Sequence, residues 1–335
     1  MQRIRLLYEQ IEEAKRLMLS GTPTNLRLAL ILLDNAAELV MHRELSYRFA
    51  QDDYYARLTE PSERKYSDEE RRKAEQEFKP MVSLLHHKLH MISEKQATVL
   101  CVCHEMRRDA FHRGEMNATI LRPVTELLFL TVCDLAKVFP VHSYAIAGGV
   151  PSGENADFMA RFQLDRPDTL GDEGTKESIY RKLIEGIAFD FSLRQTLSGD
   201  LQDRIAAIID GLAYLNDSNS DRKILDHNLR YTQFWRERGA EVMKKAHEEG
   251  RAPKDDLDVA YREWSENPGA RYTMDKIERW GRQASAIARA KHLADALAKY
   301  IGIERLIAPL EEDVDDAVFD FDEHINMLVK AYRSP

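Results

Sequence analysis

Four polar side chains that can act on a phosphate group are concentrated in one short stretch of the chain: Arg107, Arg108, Asp109 and His112. Cleavage of RNA by its own 2′-hydroxyl requires one proton to be removed from that hydroxyl and another to be given to the leaving 5′-oxygen. A histidine imidazole that titrates near neutral pH can carry out these proton transfers. An arginine guanidinium can bind the phosphate bidentately while negative charge accumulates on its oxygens. This combination predicts phosphate chemistry that needs no metal ion.

The stretch that carries these residues, 93–139, is predicted to form two helices with a short break around the sequence HRGEMN. Ser93 and Gln96 form a capping-box pattern at the start of the first helix. Apolar residues then recur at helical spacing in both runs, which is typical of buried helix faces. Pro123 suits the first turn of the second helix. We therefore expect the arginines and the histidine to lie at a junction between two packed helices.

The spacing Arg-x4-His occurs twice, as Arg107/His112 and as Arg222/His227. The first pair lies at the break between two apolar helices, whereas the second opens a polar helix, as a solvated face would. This context favours Arg107 and His112 as the catalytic pair. If the helix instead runs unbroken through His112, then Arg108 lies one turn from it and Arg107 lies about 140° away around the helix. Both arginines therefore remain candidates.

The segments before this stretch also predict helices. One helix covers residues 2–19 and ends near Gly21, and a second follows at once in TNLRLALILLDNAAELVMHRELSYRF. The second helix has a wide apolar arc, and its polar strip is either solvated or faces the arginine and histidine junction. The polar residues of this strip are Arg27, Asp34, Asn35, Glu38 and His42. Residues 51–66 are predicted to form a loop, and Ser67 and Glu70 form another capping box.

No alternating strand pattern occurs anywhere, so the predicted fold class is all-α. A helical bundle is expected in residues 1–145, and a second helical domain, for regulation or partner binding, in 176–335. The segment 146–175 is rich in glycine and polar residues and is predicted to be the linker.

Composition and charge restrict the classes of protein that this chain can represent. The chain has 335 residues, of which 44% are hydrophobic, and no apolar run approaches the roughly 18 residues that a membrane span needs. The amphipathic N-terminus carries acids, unlike a targeting peptide, and three cysteines give no disulfide framework, so a cytoplasmic protein is expected. The net charge of −9 arises after residue 150, which argues against a nucleic-acid clamp in the second half.

The order of these segments resembles the HEPN superfamily over roughly residues 1–142. The resemblance lies in the segment LRLALILLDNAAELVMHR, a helix that ends in RRDAFH, and the apolar helix that follows. It implies a small helical bundle and a metal-independent ribonuclease of the kind found in toxin–antitoxin, phage-defence or CRISPR settings. It also implies a homodimer in which both subunits contribute to one cleft. By this resemblance, Arg107 stabilises the phosphate and His112 handles protons, with Arg108, Asp109 and His104 in support. The position after the first arginine is usually Asn, Asp or His in the family, and here it is Arg108.

The expected function is cleavage of RNA to 2′,3′-cyclic phosphate and 5′-hydroxyl ends, without metal or cofactor, in a toxin or antiviral defence setting. The expected partners are an RNA substrate, a second copy of the chain and a protein regulator bound through 176–335. The alternative is a catalytically inactive HEPN-like interaction, scaffold or toxin-neutralising protein. A third reading is a metal phosphohydrolase that uses the stripe Asp316, Asp320 and His324.

Overall fold

The computed structural model is an all-α protein, as the sequence predicts. It describes residues 2–58, 64–113, 118–138, 153–163, 173–187, 192–216, 218–250, 253–265 and 271–333, and these ranges contain no β-strand. The α-helices are α1 (Gln2–Ser20), α2 (Pro23–Leu58), α3 (Asp68–Gln76), α4 (Phe78–Ser83), α5 (Glu94–Arg113), α6 (Ala118–Val138), α7 (Gly153–Arg161), α8 (Glu173–Ile184), α9 (Leu193–Tyr214), α10 (Arg222–Phe234), α11 (Ala240–Glu248), α12 (Pro253–Ser265), α13 (Met274–Ile287) and α14 (Leu293–Arg333). A π-helical turn follows α4 at Leu84–Lys88, and another joins α10 to α11 at Trp235–Gly239. None of the described helices is both long and apolar enough to span a membrane.

The chain divides into two compact units. The first comprises Met1–Leu193 with His292–Ala298, and the second comprises Arg194–Lys291 with Lys299–Pro335. Most of the predicted linker, 146–152 and 164–172, lies outside the described residues. The part of it that forms α7 packs on α1, and α8 packs on α6, so both helices belong to the first unit.

Helix α2 runs through the first unit and contacts α1, α5 and α6. The apolar arc predicted from its periodicity is buried, and its members are Leu26, Ala29, Leu30, Leu33, Ala36, Ala37 and Val40. The prediction of a loop from residue 51 is wrong, because α2 continues to Leu58 and buries Asp52 and Ala56. Asp52 accepts hydrogen bonds from the backbone N–H groups of Lys65 and Tyr66, at 2.9 and 3.3 Å. These contacts fix the chain that returns toward α3 against the last turns of α2.

Both predicted capping boxes are present. The Ser67 hydroxyl accepts from the Glu70 backbone N–H, and the Glu70 carboxylate accepts from the Ser67 N–H. The Ser93 hydroxyl likewise accepts from the Gln96 N–H, and the Gln96 side-chain oxygen accepts from the Ser93 N–H. The second box fixes the start of α5, the helix that carries the candidate site.

The chain between α5 and α6 falls within the sequence HRGEMN, where a break is predicted, but α5 runs two residues into it. Helix α5 extends through His112 to Arg113, and α6 begins at Ala118, with residues 114–117 outside the described ranges. Pro123 is therefore buried inside α6 and not in its first turn, which corrects that expectation.

In the second unit, side chains of α9 bind the part of α14 that follows residue 298. The hydroxyl of Tyr300 donates to the Asp200 carboxylate at 2.6 Å, and Arg204 forms an ion pair with Glu311. An aromatic cluster gathers α10, the second π-helical turn and α12, and its rings are Tyr231, Phe234, Trp235, Tyr261 and Trp264. In this cluster Trp235 and Trp264 pack against other aromatic rings.

Candidate functional site

The candidate site is organised around a buried carboxylate, that of Asp34 on α2. The residue is 1% exposed. Both of its carboxylate oxygens lie 3.1 Å from Nδ1 of His104 on α5, and Oδ2 lies 3.5 Å from Nε of Arg107. A buried charge is costly unless it is paired, so these two cationic or hydrogen-bonding partners compensate its burial. At Asp34, the polar strip of α2 therefore faces α5, the helix that carries the candidate arginines and histidines.

His104 is held in place from two sides. Its ring stacks on that of Phe78 in α4, with centroids 3.9 Å apart and an interplanar angle of 6°. Its Nδ1 faces the Asp34 carboxylate, which can only accept a hydrogen bond. In the neutral ring Nδ1 therefore carries the proton, and Nε2 presents a lone pair. The side chain is 26% exposed, so this fixed imidazole reaches the surface of the first unit.

The two arginines occupy different environments. The Arg107 side chain is 33% exposed and lies against Asp34, whereas Arg108 is exposed. Because α5 continues through residue 112, the backbone places Arg108 one turn before His112 and puts Arg107 about 140° away. The side chains of Asp109 and His112 lie outside the described residues, so their contacts stay predictions.

The second Arg-x4-His match has a structural explanation. Arg222 forms ion pairs with Asp275 and Glu278, which lie on α13. His227 Nδ1 is 3.3 Å from the Tyr261 hydroxyl, at the edge of the aromatic cluster. Both residues are exposed and are engaged within the second unit, as expected for the solvated helix face predicted at this match.

The residues of the predicted metal-binding stripe, Asp316, Asp320 and His324, all lie on α14. Within the described ranges, no three His, Cys, Asp or Glu side chains are grouped closely enough to hold a metal ion. Asp316 forms an ion pair with Arg236 at 2.7 Å, and the His324 side chain lies outside the description.

Comparison of the chain with protein-family models, with curated proteins and with solved structures finds no match. Sequence reasoning did not foresee the contact of Phe78 with His104. One signal does mark Asp34, which is a charged residue that interrupts the apolar run LALILL just before NAAELV.

Proposed function

We propose that the first unit is a HEPN-like, metal-independent endoribonuclease. The observation that supports this proposal is the arrangement along α5. His104 and Arg107 both contact the buried carboxylate of Asp34. Further along α5, the helical register places Arg108 one turn before His112. Imidazole and guanidinium groups are thus concentrated at one end of one helix, supported from inside the bundle. These are the groups that RNA transesterification requires.

In the proposed reaction, the 2′-oxygen of the RNA attacks the adjacent phosphorus as its proton passes to water or to a basic side chain of the site. The bond from phosphorus to the 5′-oxygen breaks, and that oxygen receives a proton, for which His112 is the proposed donor or relay. Arg107 and Arg108 stabilise the charge on the non-bridging oxygens, with Asp109 and His104 in support. The products are a 2′,3′-cyclic phosphate and a 5′-hydroxyl. The groups named here supply both proton transfer and charge stabilisation, so the proposal includes no metal or cofactor.

The proposal also includes a homodimer, an RNA substrate, and a toxin or antiviral defence setting in the cytoplasm. Residues 176–335 are proposed to bind a protein regulator. These parts depend on the resemblance to HEPN proteins. Their test is whether overproduction of the wild-type chain arrests growth while His112→Ala does not.

The decisive experiment is cleavage of a single-stranded RNA by the purified protein in excess EDTA. We expect His112→Ala to lower the rate by about 10²-fold or more, because one proton transfer would be lost. The matched control is His227→Ala, which removes the other Arg-x4-His histidine and should leave the rate unchanged. The same RNA with 2′-deoxyribose at the cleaved position should not be cut. Mass spectrometry should find a product end one water lighter than a linear phosphate.

Inhibition by EDTA, or equal cleavage of the 2′-deoxy strand, would overturn this mechanism. Replacement of Arg107 and Arg108 by Lys, one at a time, then identifies the arginine that acts on the phosphate. Lysine keeps the charge but cannot form a bidentate contact, so the larger loss of rate marks the functional position.

A second candidate function, a catalytically inactive interaction or toxin-neutralising module, is favoured by the same contacts. Asp34 already engages His104 and Arg107, and an ion pair of this kind also serves to hold two helices together. A wild-type protein that cuts no RNA, and whose His112→Ala variant binds its partners normally, would support this candidate.

A further inference from the structure

The contacts of His104 resemble those of an acid–base catalyst more than those of a core histidine. Its Nδ1 is bound by a carboxylate that is itself buried, and one ring face is covered by Phe78. A buried carboxylate in this position selects one tautomer, fixes the ring direction and stabilises the imidazolium once it forms. A substrate would therefore approach the opposite edge of the ring, which carries Nε2. The partial exposure of the His104 side chain agrees with this approach.

The register of α5 relates this histidine to the rest of the site. His104, Arg108 and His112 are spaced four residues apart along one continuous helix. Successive members are about 6 Å apart along the axis and about 40° apart around it, so the three form a strip about 12 Å long. The exposure of the strip increases along its described part, from the half-buried His104 to the exposed Arg108.

This spacing suits an in-line displacement at phosphorus. The attacking 2′-oxygen and the leaving 5′-oxygen lie at opposite apices, so the base and the acid must flank the phosphate. A guanidinium between them meets the non-bridging oxygens. Along the strip the residue types follow in that order, histidine, arginine and histidine.

We infer that His104 is a second catalytic residue of the proposed ribonuclease, and that Asp34 is its positioning residue. Nε2 of His104 takes the proton of the 2′-hydroxyl as the 2′-oxygen bonds to phosphorus. The bond from phosphorus to the 5′-oxygen breaks, and protonated His112 gives its proton to that oxygen. Proton exchange with water then restores both imidazoles. One copy of the chain thus supplies both proton-transfer groups.

This inference rests on the proposed function, and a tautomer measurement separates the two. Long-range ¹H–¹⁵N NMR of the histidine rings reports which nitrogen of neutral His104 carries the proton. We expect Nδ1–H in the wild type and Nε2–H in Asp34→Asn, because the amide group can donate to Nδ1. A wild-type ring protonated at Nε2 would overturn the inference whether or not the protein cuts RNA.

The kinetic test compares His104→Ala with His112→Ala on the same RNA. We expect each to lower kcat by about 10²-fold or more, with KM changed far less. Added imidazole should restore part of the His104→Ala rate by occupying the vacated position on Phe78, which a purely structural role would not allow. If His112→Ala is inactive while His104→Ala cuts at the wild-type rate, the proposed function stands and the inference falls. A wild type that cuts no RNA overturns both.

Mixing the two variants tests whether both imidazoles act within one chain. Equal amounts of His104→Ala and His112→Ala, unfolded and refolded together, should stay inactive because no single chain then holds both histidines. Recovery of cleavage in the mixture would show that the two groups come from different subunits and would overturn the single-chain assignment.

Discussion

Asp52 and Asp53 are neighbours on α2 that bind the same arginine from different environments. Asp52 is 6% exposed, accepts from Nη2 of Arg71 at 2.6 Å, and also accepts from the backbone N–H groups of Lys65 and Tyr66. Asp53 is 37% exposed and accepts from Nη1 of Arg71 at 2.9 Å. The pair therefore allows one carboxylate to be compared with a matched control on the same partner.

We expect Asp52→Asn to lower the free energy of unfolding of the first unit by about 3 kcal/mol. The amide keeps one acceptor oxygen, so one buried backbone N–H loses its partner, at about 1–3 kcal/mol, and a charge-assisted bond to Arg71 is weakened by a similar amount. Asp53→Asn should cost less than about 1 kcal/mol, because an exposed ion pair contributes little.

The effect of Asp52→Asn should also depend on pH. Burial alone would raise the pKa of Asp52, but the Lys65 and Tyr66 N–H groups and Arg71 outweigh it, so the folded-state pKa lies below the ordinary 3.8. The stabilisation from a carboxylate with a lowered pKa is complete above the unfolded-state pKa and is lost as the pH falls through the folded-state value. The difference between wild type and Asp52→Asn should therefore shrink below about pH 3.8.

Urea unfolding followed by far-UV circular dichroism, at neutral pH and near pH 3, measures these differences. Tryptophan fluorescence identifies the transition of the second unit, because Trp235, Trp264 and Trp280 all lie there. Equal losses for Asp52→Asn and Asp53→Asn would refute the reasoning, as would a difference for Asp52→Asn that does not change between the two pH values.

Two further predictions concern packing. Gly211→Ala in α9 should destabilise the second unit by about 1 kcal/mol or more in urea unfolding followed by tryptophan fluorescence, because the added Cβ would lie 2.6 Å from a valine methyl group of α14. Gly199→Ala in the same helix has nothing within 4 Å of its added Cβ, so it should instead stabilise by about 0.5–1 kcal/mol. Burial raises the pKa of the Cys103 and Cys133 thiols, so iodoacetamide at neutral pH should label at most the half-buried Cys101 in the native protein. Intact mass should then show no more than one label before unfolding in urea and three after it.

Features that depend on nearby residues were predictable from the sequence. The apolar arc of α2 follows helical periodicity, and the capping boxes at Ser67 and Ser93 need only two residues three positions apart. The all-α class follows from the same local patterns. The sequence did not predict the extension of α2 to Leu58, because the polar residues from 51 onward resemble a loop. The contact that explains it, between Asp52 and the backbone of Lys65, is visible only in the structure.

The site itself depends on contacts between distant segments. Sequence reasoning could place Asp34 on a polar strip, but its contact with His104 joins residues 70 positions apart and requires the packing of α2 on α5. The two Arg-x4-His matches could likewise be separated only by context. The carboxylates that engage Arg222, those of Asp275 and Glu278, are 53 and 56 residues away in the chain.

The packing of α7 on α1 determines how the candidate enzyme can be divided for experiments. Tyr8 contacts the rings of Phe158 and Phe162, and Arg161 binds Glu9 and Glu12. A fragment cut at residue 145, where composition suggests a boundary, would lose this cover and expose the side of α1 that carries Tyr8, which is buried in the full-length chain. Even a fragment that ends at residue 193 would lack the 292–298 segment of its unit. Truncation is therefore a poor way to test the proposed ribonuclease activity, and substitutions in the full-length chain are the sounder choice.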